Sequence, residues 1–308
     1  MEGKAFNVQG INQRVNLSIL KDKQVDLVVK REDLIHPYIS GNKYRKLKYN
    51  IMEARQRGIN TILTFGGAYS NHIAATAFAG KFYGIKTIGV IRGEELSQNW
   101  MQNPTLAKAH EHGMNFKFIT RSEYREKADS AFLDVLEKDY GPYYMIPEGG
   151  TNSLAVKGCE EILTPGDKDF NVICSSVGTG GTLAGIINSS HNDQHIIGFP
   201  SLKGDFLKKD IRNFTAKENW EINTNYHFGG YAKVSEALIT FINYLKETTN
   251  IPTDPIYTGK LLFGILDLVK NDYFKPGTKI LAIHSGGLQG ISGMNVVLKK
   301  KNLPLIKV

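Results

Sequence analysis

Lys43 is the residue of this sequence with the clearest potential for covalent chemistry. It lies in residues 40–47, SGNKYRKL, where glycine and asparagine end an irregular segment and Lys43 begins a predicted amphipathic helix. The positive end of a helix dipole disfavours a cation, so this position lowers the pKa of the lysine and makes its amine a better nucleophile. A solvated lysine at a helix start is the alternative, and the octamer alone favours that alternative.

Residues 175–185, SSVGTGGTLAG, form a second candidate site, where an apolar strand is followed by a glycine- and threonine-rich loop and a helix. Free backbone N–H groups and two hydroxyls at such a turn make a cradle for phosphate. A dinucleotide fingerprint would need its third glycine at Leu183, and a P-loop would need a lysine after the glycines. One compact phosphate is therefore the simplest ligand, and a tight turn without a ligand is the alternative.

Residues 66–72, GGAYSNH, also join a predicted strand to a helix start. Ser70 or Asn71 is a candidate for the cap of that helix, which is the structural interpretation. The functional interpretation is a second anion pocket for a substrate carboxylate, with Asn71 free to bind a phenolic oxygen. His72 adds little, because a histidine at a helix start is more often structural than catalytic.

Two further motifs complete the set. Tyr257 lies in residues 254–260, DPIYTGK, before an apolar helix, and it is either an active-site phenol or a core aromatic with a satisfied hydroxyl. Residues 282–288, AIHSGGL, form another junction at the carboxyl end of a strand, where open α/β sheets bind ligands. An activated lysine, a single-phosphate cup, a carboxylate pocket and a phenol match pyridoxal phosphate better than NAD or ATP.

The elements that must position these motifs alternate between strands and helices, which indicates parallel sheets covered on both faces. Two open sheets are favoured over a closed eight-fold barrel, because the units are too few and unevenly spaced for the barrel. One helix is predicted over 103–112 and another over 123–139. The predicted strands cover 61–65, 86–91, 116–120, 143–146, 171–176, 195–199 and 279–283.

Composition restricts the function classes. The 308 residues are 41% apolar and 22% charged, without a run of about 20 apolar residues that would span a membrane. No secretory pattern begins the sequence, so we expect a cytoplasmic protein. The net charge of +8 is spread along the chain rather than in a basic stripe, so nucleic acid is not an expected partner. Cys159 and Cys174 form no CxxC pair, so we expect no metal site and a buried Cys174 thiol.

Taken in order, SGNKYRKL, TFGGAYSNH, PEGGTN, SVGTGGT and DPIYTGK resemble the family of 1-aminocyclopropane-1-carboxylate (ACC) deaminase and D-cysteine desulfhydrase. This family belongs to the tryptophan-synthase-β-like, fold type II enzymes that depend on pyridoxal phosphate (PLP). The resemblance extends from about Arg31 to His284. It implies two open twisted-sheet α/β domains with the cofactor in the cleft between them, and a homodimer.

The resemblance implies a role for each matching residue. Lys43 takes the place of the Schiff-base lysine and carries the proton at Cα, and Tyr257 matches an active-site tyrosine. Ser70, with the backbone of Asn71 and His72, holds the substrate carboxylate. The remaining positions imply cofactor contacts: Asn71 to the ring oxygen, Thr258 to the pyridine nitrogen, and Lys46, Gly178, Thr179, Gly180, Gly181 and Thr182 to the phosphate.

Two positions bear on the substrate. ACC deaminases carry a glutamate at the position of Thr258, whereas D-cysteine desulfhydrases carry a threonine. A hydroxyl partner makes the ring a weaker electron sink, which suits β-elimination better than opening of a cyclopropane ring. A second active-site tyrosine of the family aligns with His227, and Tyr226 and Tyr231 lie close to it in the sequence.

The sequence thus predicts a small domain over 46–152 and a large PLP-binding domain of 1–45 plus 153–308. The expected activity is a PLP-dependent lyase/deaminase acting on a small amino acid, similar to D-cysteine desulfhydrase. It would release a 2-oxo acid and ammonia, with sulfide from D-cysteine. The alternatives are an ACC deaminase, which would form 2-oxobutanoate, and a non-catalytic PLP-binding protein.

Overall fold

The structure is a computed structural model that describes residues 8–36, 38, 39, 41–204 and 206–307. Residues 1–7 of the predicted large domain and Ser40 of the lysine motif lie outside the described residues. Within these ranges, no helix combines the length and the apolar character that crossing a bilayer requires.

The larger sheet has six strands in the order β1-β2-β10-β7-β8-β9. β1 runs antiparallel to β2, and every other neighbouring pair is parallel. The strands are β1 (Ile11–Arg14), β2 (Asp26–Arg31), β7 (Val172–Val177), β8 (His195–Pro200), β9 (Trp220–Ile222) and β10 (Lys279–Ile283).

The smaller sheet has four parallel strands in the order β5-β4-β3-β6. They are β3 (Thr61–Gly66), β4 (Lys86–Arg92), β5 (Met114–Ile119) and β6 (Tyr144–Ile146). All four lie between residues 46 and 152, and the strands of the larger sheet lie outside that range. The domain boundaries themselves stay a prediction, since a single helix, 42–56, runs through residue 45.

The helices of the described residues cover both sheets. In chain order they are α1 (Ser18–Asp22), α2 (Asn42–Gln56), α3 (Asn71–Tyr83), α4 (Pro104–Glu111), α5 (Ser130–Tyr140), α6 (Ser153–Cys159), α7 (Gly181–Ser189), α8 (Phe206–Arg212), α9 (Glu236–Thr249), α10 (Thr258–Lys270) and α11 (Gly290–Lys300).

The central parallel strands are buried on both faces, as parallel strands covered by helices must be. Every residue of β7 is buried, and residues on its two faces pack into different apolar clusters, Cys174 into one and Ile173 into the other. The smaller sheet has its own cores, one of which contains Leu63 and Val90. The predicted α/β fold with two open sheets is therefore confirmed, and so is the burial of Cys174.

The pattern over 123–139 predicted one helix, but the chain forms a short 3-10 turn at Glu123–Glu126 and then α5. Asp129 explains the break, because its carboxylate accepts from the backbone N–H groups of Ala131 and Phe132 and caps α5. The sequence patterns did not indicate three strands of the larger sheet, β1, β2 and β9. Like Cys174, Cys159 is buried and forms no disulfide.

The sequence motifs converge because parallel strands bring their carboxyl ends to one edge of a sheet. α3 follows β3 at that edge, and α7 follows β7. The start of α2 joins them there, since the Asn42 N–H donates to the Ser285 carbonyl oxygen at 3.2 Å, just beyond β10.

Candidate active site

A cavity at the carboxyl ends of β7 and β10 brings most of the predicted site residues together. Eight of them line it: Lys43, Lys46, Asn71, Gly178, Thr179, Gly180, Thr182 and Tyr257. Ser70, His72, Gly181 and Thr258 are not part of its lining. Side chains that the sequence reasoning did not single out also reach the cavity, among them Asn42, Ser176 and Ser285.

Lys43 is the second residue of α2 and is held in an environment that favours its neutral amine. Desolvation by burial, followed by the charge of Lys46, lowers the pKa of Lys43 to about 7. Its Nζ donates to Asn42 Oδ1 at 3.3 Å. A substantial fraction of the amine is therefore unprotonated near neutral pH, which is the form that attacks a carbonyl carbon.

Lys46 lies one helical turn beyond Lys43 and is almost fully buried, with 2% of its surface exposed. Its Nζ donates to the Gly149 carbonyl at 3.0 Å and to Thr151 Oγ1 at 2.9 Å. No carboxylate of the described chain lies within 4 Å of it, and burial lowers its pKa to about 8. A buried cation without a carboxylate partner is costly, and an anionic ligand in the cavity would compensate it.

The loop of residues 178–182 has the shape of a phosphate cradle. Gly180 has a φ of +83°, and a Cβ there would lie 2.9 Å from Ile211. A Cβ at Gly178 would lie 3.3 Å from the Tyr257 ring, and one at Gly181 would lie 2.8 Å from Thr151. The available space therefore favours glycine at all three positions, and the positive φ favours it further at Gly180. The glycines leave the backbone N–H groups at the start of α7 open to a ligand.

Hydroxyl groups complete the cradle. Asn42 Nδ2 donates to Thr182 Oγ1 at 2.8 Å, and Lys46 Nζ lies 3.4 Å from Thr179 Oγ1. These groups, with Lys46 and the open backbone N–H groups, suit one phosphate, and Lys43 lines the same cavity. The donor set therefore fits PLP.

Ser70 has the structural role that capping predicts. Its Oγ accepts from the Ile73 N–H at 3.3 Å, so it caps α3. Asn71 begins that helix and faces the cavity, and its Oδ1 accepts from Gln289 Nε2 at 3.0 Å.

His72 is fully buried behind the cavity wall. Its Nε2 lies 2.8 Å from Thr64 Oγ1, which itself donates to the Ile146 carbonyl at 2.7 Å. Nε2 is therefore the donor, and Nδ1 has no partner among the described residues. Burial, then the charges of Lys43 and Lys46, hold the pKa of His72 well below its usual value, so the ring is neutral.

Tyr257 faces the cavity with its phenol protonated. Burial, and then the neighbouring Tyr231, raise the pKa of Tyr257 well above its usual value. The rings of Tyr231 and Tyr257 meet edge to face with centroids 6.3 Å apart. Tyr226 instead donates its hydroxyl to Asp267 at 2.8 Å, and His227 Nδ1 accepts from the Gly229 N–H. Of the three candidates for the second tyrosine position, Tyr231 is the one beside Tyr257.

Thr258 is fully buried and uses its hydroxyl elsewhere. Its Oγ1 donates to Asp254 Oδ2 at 2.7 Å and accepts from the Asp254 N–H at 3.1 Å. Ser285, at the end of β10, lines the cavity, and its Oγ lies 3.2 Å from Ser176 Oγ. This geometry favours Ser285 over Thr258 as the hydroxyl partner of a ring bound in the cavity. The motif at 282–288 had indicated the loop but not the residue.

Metal ligands do not form a comparable group. Across the described ranges, no three His, Cys, Asp or Glu side chains come together in a way that would hold a metal ion.

Comparison with known proteins places the site in context. A family model described as pyridoxal-phosphate dependent enzyme matches residues 13–286. The mitochondrial bifunctional D-cysteine desulfhydrase/ACC deaminase of Arabidopsis thaliana is 30% identical, over 86% of this chain and 73% of its own length. The ACC deaminase of Pseudomonas syringae pv. tomato is 27% identical, over 90% of each chain. A crystal structure of an ACC deaminase homologue superposes with a TM-score of 0.79 and 27% identity, covering 95% of this chain and 93% of the other.

Proposed function

The chain belongs to the pyridoxal-phosphate dependent enzymes, and from that premise we propose that it catalyses α,β-elimination and deamination of a small amino acid. The observation that carries the proposal is a single cavity that contains a lysine with a pKa of about 7, a buried lysine without a carboxylate partner and a glycine-rich loop. These groups would bind the aldehyde and the phosphate of the cofactor.

Each group has a place in this proposal. Lys46 and residues 178–182 would hold the phosphate, Asn71 the ring oxygen and Ser285 the ring nitrogen, a role that the resemblance had given to Thr258. When bound, PLP supplies an electron sink that stabilises negative charge at Cα of an attached amino acid. Ser70 and the backbone of Asn71 and His72 would orient the substrate carboxylate.

Proton transfer would be divided between two side chains. Lys43, with its lowered pKa, would take the proton from Cα once the substrate amine has displaced it. Tyr257, with its raised pKa, stays protonated and would act as a donor, for example to a leaving group on Cβ. General acid–base help of this kind contributes roughly 100- to 10,000-fold to a rate.

The names of the relatives support D-cysteine as a candidate substrate. One of them is named for both D-cysteine desulfhydrase and ACC deaminase activity. With D-cysteine, the products would be pyruvate, ammonia and sulfide. ACC deaminases carry a glutamate at position 258, whereas this chain has a threonine there and would offer the ring nitrogen the Ser285 hydroxyl. The absence of a carboxylate at position 258 supports the desulfhydrase-like activity over ACC deamination. A cytoplasmic location and a homodimer are proposals that rest on the sequence analysis and the resemblance.

The experiment is a cofactor and substrate assay on the purified protein. The wild type incubated with PLP should show the absorbance band of a lysine-bound cofactor, and Lys43→Ala should lose it while its circular dichroism is unchanged. Lys48→Ala, five residues further along α2 and paired with Glu161, is the matched control and should keep the band. A wild type that stays colourless would contradict the proposal.

Substrates are then compared by release of keto acid from D- and L-amino acids and from ACC. Turnover of D-cysteine supports the proposed activity. Turnover of ACC to 2-oxobutanoate with D-cysteine inert would favour ACC deaminase, the activity in the names of several relatives. A coloured protein that releases no keto acid from any of them would be a PLP-binding protein without catalysis.

A further inference from the structure

A second concave surface lies beside the candidate active site, on the side of the smaller sheet. We call it the Arg92 hollow; it is open, has a volume of about 640 Å³, and its walls include Gly67, Arg92, Arg121, Tyr124, Lys127 and Glu148. Two residues of the hollow are close in the sequence to residues of the candidate site: Gly67 lies three residues before Ser70, and Glu148 directly precedes Gly149, which lines the cavity. The hollow is therefore adjacent to the place proposed for the substrate carboxylate.

The charges in the Arg92 hollow are unequally paired. Arg121 Nη2 lies 2.6 Å from Glu95 Oε1, and Lys127 Nζ lies 3.3 Å from Glu148 Oε2. Arg92 has no carboxylate within 4 Å in the part of the chain that the structure describes. Its guanidinium lies over the Tyr124 ring, 5.5 Å from the centroid. A concave surface with an unpaired cation concentrates positive potential and attracts anions.

Arg92 lies beside the loop that is proposed to hold the substrate carboxylate. A Cβ built on Gly67, three residues before Ser70, would lie 3.6 Å from Arg92 Nη2. Arg92 also opposes the rise in the pKa of Tyr231 that burial causes, and the Tyr231 ring meets the ring of Tyr257, which lines the cavity. The guanidinium is therefore close to the loop that would orient the substrate.

Tyr124 forms the floor of the hollow. It is only 3% exposed, and its ring is the surface over which the Arg92 guanidinium lies. Its hydroxyl is buried, and the neighbouring Glu148 adds to the rise in the pKa of Tyr124 that burial causes. A ligand in the hollow would therefore meet the donors of Arg92 rather than the Tyr124 hydroxyl.

We propose that the Arg92 hollow binds the part of the substrate beyond Cβ and selects an amino acid whose side chain ends in an oxyanion, such as a carboxylate. The guanidinium of arginine presents two parallel N–H donors that match a carboxylate. A neutral amide would accept a weaker hydrogen bond from Arg92, because its oxygen carries no charge. This inference rests on the proposed function, because it needs an amino acid attached in the neighbouring cavity.

The test measures binding to the PLP-loaded enzyme by the change in cofactor absorbance. Aspartate and asparagine are compared as each enantiomer, since they are nearly isosteric and differ in charge. A charged hydrogen bond predicts that the acid binds about 10- to 100-fold more tightly than the amide in the better enantiomer. Arg92→Gln should weaken binding of the acid more than binding of the amide and bring the two dissociation constants within about 2-fold of each other.

Arg121→Gln is the matched control. It removes the same charge from the same hollow, but the guanidinium it removes is already paired with Glu95. We expect it to keep most of the preference for the acid. Equal binding of acid and amide by the wild type would overturn the inference. An equal loss of the preference for the acid in Arg92→Gln and Arg121→Gln would also overturn it, because it would indicate a general electrostatic attraction rather than a direct contact with Arg92.

The experiment distinguishes failure of the Arg92 inference from failure of the proposed function. A protein that takes up no PLP overturns both. A protein that binds PLP and releases keto acid from neutral amino acids, but shows no preference for the acid, overturns the Arg92 inference alone. Circular dichroism of the two arginine variants checks that each remains folded.

Discussion

Gln289 fixes the orientation of the Asn71 side chain by donating its Nε2–H to Asn71 Oδ1 at 3.0 Å. With its oxygen engaged, the Asn71 amide has its NH2 group left to donate at the cavity. A donor at this point suits a phenolic oxygen, which is the contact that we propose for Asn71. Gln289 is therefore a positioning residue that acts through Asn71.

The first prediction concerns this amide. Gln289→Glu replaces the donor by an acceptor, which favours a rotated Asn71 that directs its carbonyl oxygen at the cavity. We expect the dissociation constant for PLP to rise about 3- to 10-fold, as loss of one hydrogen bond predicts, and the pH midpoint of the cofactor absorbance to move. Gln289→Met, which removes the donor without adding an acceptor, should have the smaller effect. An unchanged midpoint in both variants would contradict this role.

The second prediction concerns the contact that fixes the start of α2. Gly41 has a φ of +62°, and a Cβ there would lie 1.9 Å from the Ser285 carbonyl oxygen. Gly41→Ala should therefore lower the free energy of unfolding by at least about 2 kcal/mol and weaken PLP binding, because Lys43 lies two residues further on. Denaturant titration and cofactor absorbance measure the two effects.

Gly58→Ala is the control for Gly41. Gly58 also has a positive φ, +69°, but nothing lies within 4 Å of a Cβ built there. Only the conformational cost applies, about 1–2 kcal/mol, and PLP binding should be unchanged. If Gly41→Ala costs no more than Gly58→Ala, the close approach to Ser285 does not restrict this position.

The third prediction uses the pKa of Lys43. In the apo protein the amine is neutral above its pKa of about 7, so the rate at which pyridoxal attaches should rise with pH through about 7 and then level off. Borohydride reduction and mass spectrometry at Lys43 measure that rate. Lys46→Met removes a charge that lowers the pKa of Lys43, so the midpoint should move to higher pH. A wild-type midpoint near 10 would show that burial does not shift this lysine.

The sequence predicted which loops meet, because each motif follows a strand of a parallel sheet and the carboxyl ends of such strands share an edge. It did not predict the direction of individual hydroxyls. Thr258 and Ser285 both lie in motifs that were singled out. Thr258 Oγ1 donates to the buried Asp254 carboxylate of its own motif, and the sequence does not show which acceptor that hydroxyl uses.

Local periodicity did not single out two other residues of the proposed sites, although the sequence analysis had named Tyr231 as lying close to the second tyrosine position. Tyr231 lies in a turn where Phe228, Gly229, Gly230 and Ala232 have positive φ, so neither a helical nor a strand period describes its position. Arg92 ends a strand and looks like any exposed arginine until the loops around Gly67 and Glu148 enclose it.

The fourth prediction tests whether the hydroxyl of Ser285 or that of Thr258 contacts the ring nitrogen of the cofactor. Thr258→Val leaves the buried Asp254 without one donor and should lower the free energy of unfolding by about 1–3 kcal/mol, with little change in the cofactor spectrum. Ser285→Ala should change the cofactor spectrum and weaken PLP binding, with a smaller effect on stability. The opposite pattern would restore Thr258 as the partner of the ring nitrogen.

The last prediction concerns Lys260, a buried lysine that holds the turn carrying Tyr231. Its Nζ donates to the carbonyl oxygens of His227 and Gly230, both at 2.9 Å, and only 2% of the residue is exposed. Four residues of this turn have a positive φ, and two of them, Phe228 and Ala232, carry side chains for which that conformation is strained. The turn therefore depends on contacts of this kind. Loss of the ammonium should therefore release Tyr231 from Tyr257.

Lys260→Met keeps the length and the apolar stem but removes both hydrogen bonds. We expect faster hydrogen exchange in residues 227–232 and weaker binding of the amino-acid substrate, with PLP binding retained because the phosphate cradle lies elsewhere. Lys270→Met, at the exposed end of the same helix, should change neither measurement. If exchange in the turn is unaffected by Lys260→Met, the backbone holds Tyr231 in place without the lysine, and a substrate effect would need another cause.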